Sequence, residues 1–351
     1  MGKCCQNGTY REKDEKEALR WANQCAASGE VWGLFQMGEH YRQEEDWEAA
    51  FQYDYAAAKQ GSSRAMLYLG QMYLNGQGTE RDIQAAVQAL EGAAARNEAE
   101  SFEELGNLFY QDELVERDDE KAFYWYGKAY AAGIKEAALP LARLYLRPSD
   151  EQDTVRAEKL LREAAGIETD GQASLALGNI YRDGLNGEID MKQAVSWYEK
   201  GASQGNPECM EILGCLYFQG EEGVDRDYAK AFEWLNRCEE AGSLQSASKL
   251  GYLYMKGEGC TADENKAKEL FERAAQTECD GYALYELGFI YERKNESPED
   301  LERAAQCYQK AIEMGNESAS RRVSPFKKGS LRKRIGRASR RLQAQTAVFP
   351  F

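Results

Sequence analysis

The residue types that do chemistry are few in this chain, and their spacing does not assemble a reactive centre. There is one histidine, His40, in 351 residues, whereas most general acid–base and nucleophilic centres are built on an imidazole. No such constellation can be built around His40 from spacing alone. Nine cysteines are present without any C-x-x-C pair, so the usual ligand spacing of a zinc or redox site is missing. The phosphate-cradling G-x-x-x-x-G-K-[ST] loop does not occur. Pairs such as Gly76-Gln-Gly78 and Gly257-Glu-Gly259 follow helical rather than strand patterns and recur at a fixed period, which makes them turns between helices. Acidic pairs such as Glu44-Glu45 and Glu221-Glu222 read as solvated surface. The expectation is no catalytic residue, no metal and no cofactor.

What would have to position any site is a repeat. Within Gln172–Gly205, Ala173, Leu177, Ile180 and Tyr181 recur at helical spacing. A glycine-bearing turn follows, Asp183-Gly-Leu-Asn-Gly187, of residues that tolerate positive φ. Asp190 then stands where an N-cap belongs, ahead of Ala194, Val195, Trp197, Tyr198 and Ala202, and Gly205 stops the second helix. The pattern recurs along the chain. Its leucine-glycine step appears at Gly38, Gly70, Gly106, Gly178, Gly214, Gly251 and Gly288, with Ala142 in the remaining slot, at intervals of 32, 36, 36, 36, 36, 37 and 37 residues. Three residues after each slot comes an aromatic, Tyr41 through Tyr291. Capping aspartates recur from Asp14 to Asp300, each with an alanine four residues on.

A glycine inside a helix costs about 1 kcal/mol relative to alanine, so its recurrence calls for a packing reason: without Cβ, the second helix of each pair can approach closely. Asp at the N-cap satisfies free N–H groups and complements the helix dipole. The aromatic and tryptophan columns are expected to fill the space between neighbouring hairpins.

These columns resemble the Sel-1-like repeat family, relatives of tetratricopeptide repeats, whose pattern is A-x-x-x-L-G-x-x-Y, a G-x-G turn, then D-x-x-K-A-x-x-W-Y-x-K-A-A-x-x-G. The resemblance covers about residues 8 to 320. It implies an all-α fold, a right-handed α/α superhelix of about eight to nine helix–turn–helix repeats of about 36 residues. Domain boundaries come with it: residues 1–320 as the solenoid, its first repeat truncated and its last degenerate, and residues 321–351 as a basic tail, flexible or a short amphipathic helix. Departures are local. The Gly38 repeat has a turn shortened by four residues, Pro140 calls for a late helix start or a kink, and the repeats around Thr169 and Cys279 each carry one extra residue.

The resemblance also implies where partners bind, because first helices in related repeat folds line a concave surface that takes extended peptides or partner helices. Positions one and four after the glycine slot, and three before it, then face inward. They give a polar ladder, Asn107, Arg143, Asn179 and Arg182, whose amides and guanidiniums suit a peptide backbone or carboxylates. Nearer the C-terminal end they give an aromatic patch, Phe218, Tyr252, Tyr285 and Phe289, of the type that anchors interfaces. The implied function is a non-catalytic scaffold or adaptor for a protein or peptide. Two alternatives stay open: the β-lactam-binding or hydrolase activity of secreted relatives, and a structural subunit of a larger assembly.

Charge bears on the partner. Residues 1–320 hold 34 Lys and Arg against 60 Asp and Glu, whereas residues 321–351 hold ten Lys and Arg and no acid. An acidic solenoid repels nucleic acid and suits basic partner segments. In the tail, Leu331, Ile335, Ala338 and Leu342 are spaced for one helix face. That tail has three open readings: an undocked extension, a strap on the solenoid, or a contact with an anionic surface. No apolar run approaches the length of a membrane span. The start Met-Gly-Lys-Cys-Cys lacks the apolar core of a secretory signal and the Ser or Thr that myristoylation wants at Gln6. The cysteines follow no disulfide register, Cys25, Cys209 and Cys238 falling in small buried slots, so a cytoplasmic location is the expectation.

Overall fold

The computed structural model describes residues 15–323 apart from 112–113, 148–152, 244–245, 278–279 and 295–296. The chain divides into two compact units, Met1–Gly166 and Ile167–Phe351. The first contains α1 (Glu15–Ala27), α2 (Val31–Gln43), α3 (Trp47–Lys59), α4 (Ser63–Asn75), α5 (Ile83–Ala94), α6 (Ala99–Tyr110), α7 (Asp119–Ala131), α8 (Ala138–Tyr145) and α9 (Thr154–Ala164). The second contains α10 (Gln172–Asp183), α11 (Met191–Ser203), α12 (Pro207–Gln219), α13 (Tyr228–Glu240), α14 (Ala247–Lys256), α15 (Glu264–Thr277), α16 (Gly281–Lys294), α17 (Pro298–Glu313) and α18 (Glu317–Val323). From α2 onward each even-numbered helix packs on the odd-numbered helix after it, and successive pairs stack within each unit. The fold is the expected all-α array of helix–turn–helix repeats.

Local chemistry accounts for each pair. Seven aspartates, Asp46, Asp82, Asp118, Asp153, Asp190, Asp227 and Asp263, accept from the backbone N–H three residues on, at 2.9–3.1 Å. The N–H of six of them bonds back to the carbonyl of the preceding column aromatic, as Asp190 to Tyr181 at 2.9 Å, which closes the turn. Lys121, Lys230 and Lys266 then lay their ammonium groups over Phe109, Tyr217 and Tyr254. At the far end of the second helix Gly205 adopts φ +89°, and the Asn206 N–H bonds to the Gly201 carbonyl at 3.1 Å. That is a Schellman stop, which a residue with Cβ adopts only under strain.

The glycine column has the packing role its recurrence implies. A Cβ on Gly178 would lie 2.8 Å from Tyr198 Cζ and nearer still to the ring carbons beside it. Its counterparts face Leu90, Tyr126, Leu235, Phe271 and Tyr308 in the same way. Tyr198, Tyr126 and Tyr308 are among the largest fully buried side chains. Neighbouring pairs meet through aromatics: Phe51 with Tyr73, Phe123 with Tyr145 and Phe232 with Tyr254 contact edge to face at 4.9–5.3 Å.

Three local expectations can be settled. Pro140 gives a late start: Lys135–Ala137 is a 3-10 turn, and α8 begins only at Ala138. In the shortened Gly38 repeat, Glu45 takes φ +58° in place of a turn glycine. Asp300 is a correction, because it is not an N-cap. Ser297 caps α17, its Oγ accepting from the Asp300 N–H at 3.2 Å while the Asp300 carboxylate accepts from the Ser297 N–H at 3.1 Å. A Ser-x-x-Asp capping box starts the helix three residues earlier than the column predicts. Asp14 and the predicted tail helix around Leu331–Leu342 lie outside the described residues.

Candidate functional site

The first helix of each pair carries the predicted positions. In the first unit, Asn107 sits on α6, where its Oδ1 accepts from Tyr126 Oη of α7 at 2.8 Å. Arg143 stands exposed on α8, directly after the Ala142 slot. In the second unit, Asn179 repeats the Asn107 arrangement with Tyr198, also at 2.8 Å. Both amide oxygens are therefore engaged inside their own repeat, each accepting one hydrogen bond and keeping a second lone pair beside the amide N–H groups. Arg182 lies at the end of α10, its Nε 2.8 Å from Asp183 Oδ1 and its second nitrogen 3.3 Å from Oδ2. That charge-assisted pair raises the Arg182 pKa further.

Two depressions open on the second unit. The larger, about 1030 Å³, runs from Arg182 to Glu208, Glu211 and Glu221, over a floor that includes Ile212 and Leu216. Burial pushes the Glu211 carboxyl up, with Lys249 pulling it back down. The smaller, about 490 Å³, is walled by Phe218, Tyr228, Tyr252 and Tyr282, with Arg226 and Lys249 also lining it. Phe218 meets Tyr252 at 5.3 Å and Tyr228 at 5.7 Å, both edge to face. Of the predicted aromatics, Phe218 and Tyr252 are thus brought together. Tyr285 instead packs toward Tyr308 at 5.9 Å, and Phe289 lies under the Arg322 guanidinium at 4.6 Å. The repeat columns miss Tyr228, which follows the Asp227 cap, and Tyr282, at the start of α16. Neither falls on an inward-facing position, and no signal in the sequence marks them.

The described thiols and the histidine have the following surroundings. The six described cysteines, Cys25, Cys209, Cys215, Cys238, Cys260 and Cys307, form no disulfide. Burial pushes the Cys209 thiol up to about 12 and the Cys307 thiol up to about 11, far from a thiolate at neutral pH. His40 lines a depression of about 400 Å³ with Trp32, Gln36 and Glu39, and among the described residues no hydroxyl or thiol lines it. Among the described residues no group of His, Cys, Asp and Glu has metal-binding geometry, and no helix is long and apolar enough to cross a membrane.

Repeat register, capping aspartates and the helix-pair array together define a class of protein, the α-helical tandem-repeat proteins. Within that class the sequence model of the Sel1 repeat matches residues 1–30, 63–97, 103–134, 136–165, 171–206, 207–243, 244–276 and 281–316, and the chain belongs to the Sel1 repeat family. The gap at 31–62 is the repeat with the shortened turn. Among solved structures, a protective antigen of uropathogenic Escherichia coli strains with an SLR fold is similar over 93% of this chain and 70% of its own, with a TM-score of 0.78 and 27% identity. A Sel1 repeat protein from Oxalobacter formigenes aligns over 78% of this chain and 81% of its own, with a TM-score of 0.62 and 28% identity. Among curated proteins, the ERAD-associated E3 ubiquitin-protein ligase component HRD3B of Arabidopsis thaliana is 36% identical over 34% of this chain and 18% of its own length. The DAP3-binding cell death enhancer 1 of Mus musculus is 38% identical over 49% of this chain and 34% of its own. The chain spans less than half the length of these curated relatives.

Proposed function

We propose that the protein is a non-catalytic scaffold or adaptor that binds a protein or peptide partner along the first-helix face of its repeats. One observation carries this reading. Phe218, Tyr228, Tyr252 and Tyr282, drawn from three successive helix pairs, wall an open depression beside the glutamate-rimmed depression around Glu208, Glu211 and Glu221. Aromatic anchors next to charged rims are the usual composition of an interface centre. The glutamates favour a partner segment bearing Lys or Arg, with the aromatic depression taking an apolar side chain beside it. The names of two relatives, a ubiquitin-ligase component and a DAP3-binding protein, point the same way. Among the described cysteines, the raised thiols of Cys209 and Cys307 favour a non-catalytic role over a hydrolase that works through a thiolate.

The test isolates a partner with the full-length chain and measures its affinity for single variants. Phe218→Ala and Tyr252→Ala are each expected to weaken binding by about 30-fold or more, the effect of a 2 kcal/mol anchor. Tyr124→Ala, on the exposed side of α7, should leave it unchanged. Equal affinities for all three variants would refute the reading.

A further inference from the structure

The same face of the second unit already holds one arginine from the end of the described chain. Arg322, on α18, sets its Nε 2.8 Å from Glu292 Oε2 and its guanidinium over the Phe289 ring at 4.6 Å. Phe289 and Glu292 stand one and four residues after the Gly288 slot, on the predicted partner-binding face. This is a built mode of recognition: an aromatic ring below a planar cation, and a carboxylate beside it.

One repeat earlier, related parts hold a lysine instead: the Lys256 ammonium stands over the Tyr252 ring, 5.9 Å from its centroid. Close to Tyr252, one residue after the Gly251 slot, lies Glu258, whose Oε2 is shut off from solvent and accepts no hydrogen bond. A buried carboxylate oxygen without a donor is costly to leave unsatisfied, and a basic side chain would satisfy it. Glu286, only 8% exposed, lies near both places: burial pushes its carboxyl up, while Tyr282, Lys256 and Arg322 pull it back down. Tyr252 and Tyr282 also wall the aromatic depression.

The composition of the chain beyond Arg322 matches this surface. Residues 324–351 contain eight Lys and Arg and no acid, whereas residues 167–323 contain 30 Asp and Glu against 17 Lys and Arg. The segment opens Ser324-Pro-Phe326-Lys-Lys328. Five extended residues span about 17 Å, close to the width of two packed helices at 8–10 Å each. We propose that residues 324–328 fold back across α16 and α14, with Phe326 filling the depression walled by Phe218, Tyr228, Tyr252 and Tyr282 and Lys327 or Lys328 reaching Glu258. The segment then occupies the aromatic half of the face that a partner would use. The docking stands on its own; that a partner must displace the segment rests on the partner-face reading.

Zero-length carbodiimide cross-linking of the full-length protein tests this, because it joins an ammonium to a carboxylate only where the two already touch, with loss of water. Lys268 and Glu272, 3.6 Å apart on α15, give an internal control. Monomers separated by size are digested and the joined peptides identified. The proposal expects Lys327 or Lys328 joined to Glu258 within monomers. The yield should fall several-fold in Phe326→Ala, which keeps both linking groups and removes the anchor. Links found only in covalent dimers would overturn the proposal in favour of a second copy as occupant. A control link without segment links, or segment links spread evenly over acids of both units, would overturn it outright. Neither failure touches the partner-face reading, which is judged by the Phe218 and Tyr252 variants.

Discussion

Gly178 on α10 offers the sharpest check on the packing logic. Replacing it with alanine should gain helix propensity, about 1 kcal/mol for an unobstructed site. The added Cβ, however, would stand 2.8 Å from Tyr198 Cζ and closer to two other ring carbons. Tyr198 is fully buried, and its hydroxyl is tied to Asn179 Oδ1 at 2.8 Å, so the ring cannot swing aside freely. Overpacking of this type costs typically about 1–3 kcal/mol, and the broken or lengthened hydrogen bond about 1 kcal/mol more. The net expectation is a loss of about 1–3 kcal/mol. Gly127 supplies the control: it lies within α7, and a Cβ there would meet nothing within 4 Å. Gly127→Ala should therefore stabilise by up to about 1 kcal/mol. Repeat arrays need not unfold in one step. The assay is accordingly hydrogen exchange of the α10–α11 and α6–α7 amides, with urea midpoints as a second probe. If Gly178→Ala protects its own pair as Gly127→Ala does, close approach is not the reason for the glycine column.

Two further predictions concern caps and pH. Asp190→Ala removes the acceptor for the Gln193 N–H at 3.0 Å, and should lower the stability of the α10–α11 pair by about 1 kcal/mol, read from exchange at α11. Asp54, fully buried in the first unit, faces the Gly38 slot and pairs with Arg42. Burial outweighs the arginine and pushes its carboxyl up to about 6, with Glu39 adding repulsion. A folded state that holds the proton more tightly than the unfolded chain is favoured at low pH. The Asp54 contribution is complete below about pH 4 and is lost as pH rises through about 6. Protection of the α2–α3 amides should thus decline from pH 4 to pH 7 more steeply in the wild type than in Asp54→Asn. Equal slopes would refute the assignment.

The array was legible in the sequence because each column has a cause confined to a few residues. An aspartate three residues before a free N–H, a glycine at positive φ and an aromatic three residues past a helical glycine each act locally, and their recurrence multiplies the signal. The reading failed at Asp300, where the column kept its residue type but the Ser297 hydroxyl offered a competing cap one turn earlier. The site was legible only in part. The inward-facing register named Phe218 and Tyr252, yet the other two walls, Tyr228 and Tyr282, come from a helix start after a cap and from a first turn. Those positions have no fixed direction within the repeat pattern.

By itself the sequence determined the class of fold, the length of the repeat and the residues that begin and end its helices, since these depend on backbone geometry within one hairpin. Tertiary structure alone decided which polar groups are already engaged within the fold. Asn107 and Asn179 look identical to free amides in the sequence, but tyrosines 19 residues later take their oxygens. It likewise decided that Phe218, Tyr228, Tyr252 and Tyr282, spread over three helix pairs, converge on one depression. Stacking of successive pairs sets those distances, and packing between residues far apart in the chain leaves no periodic trace in the order of its residues.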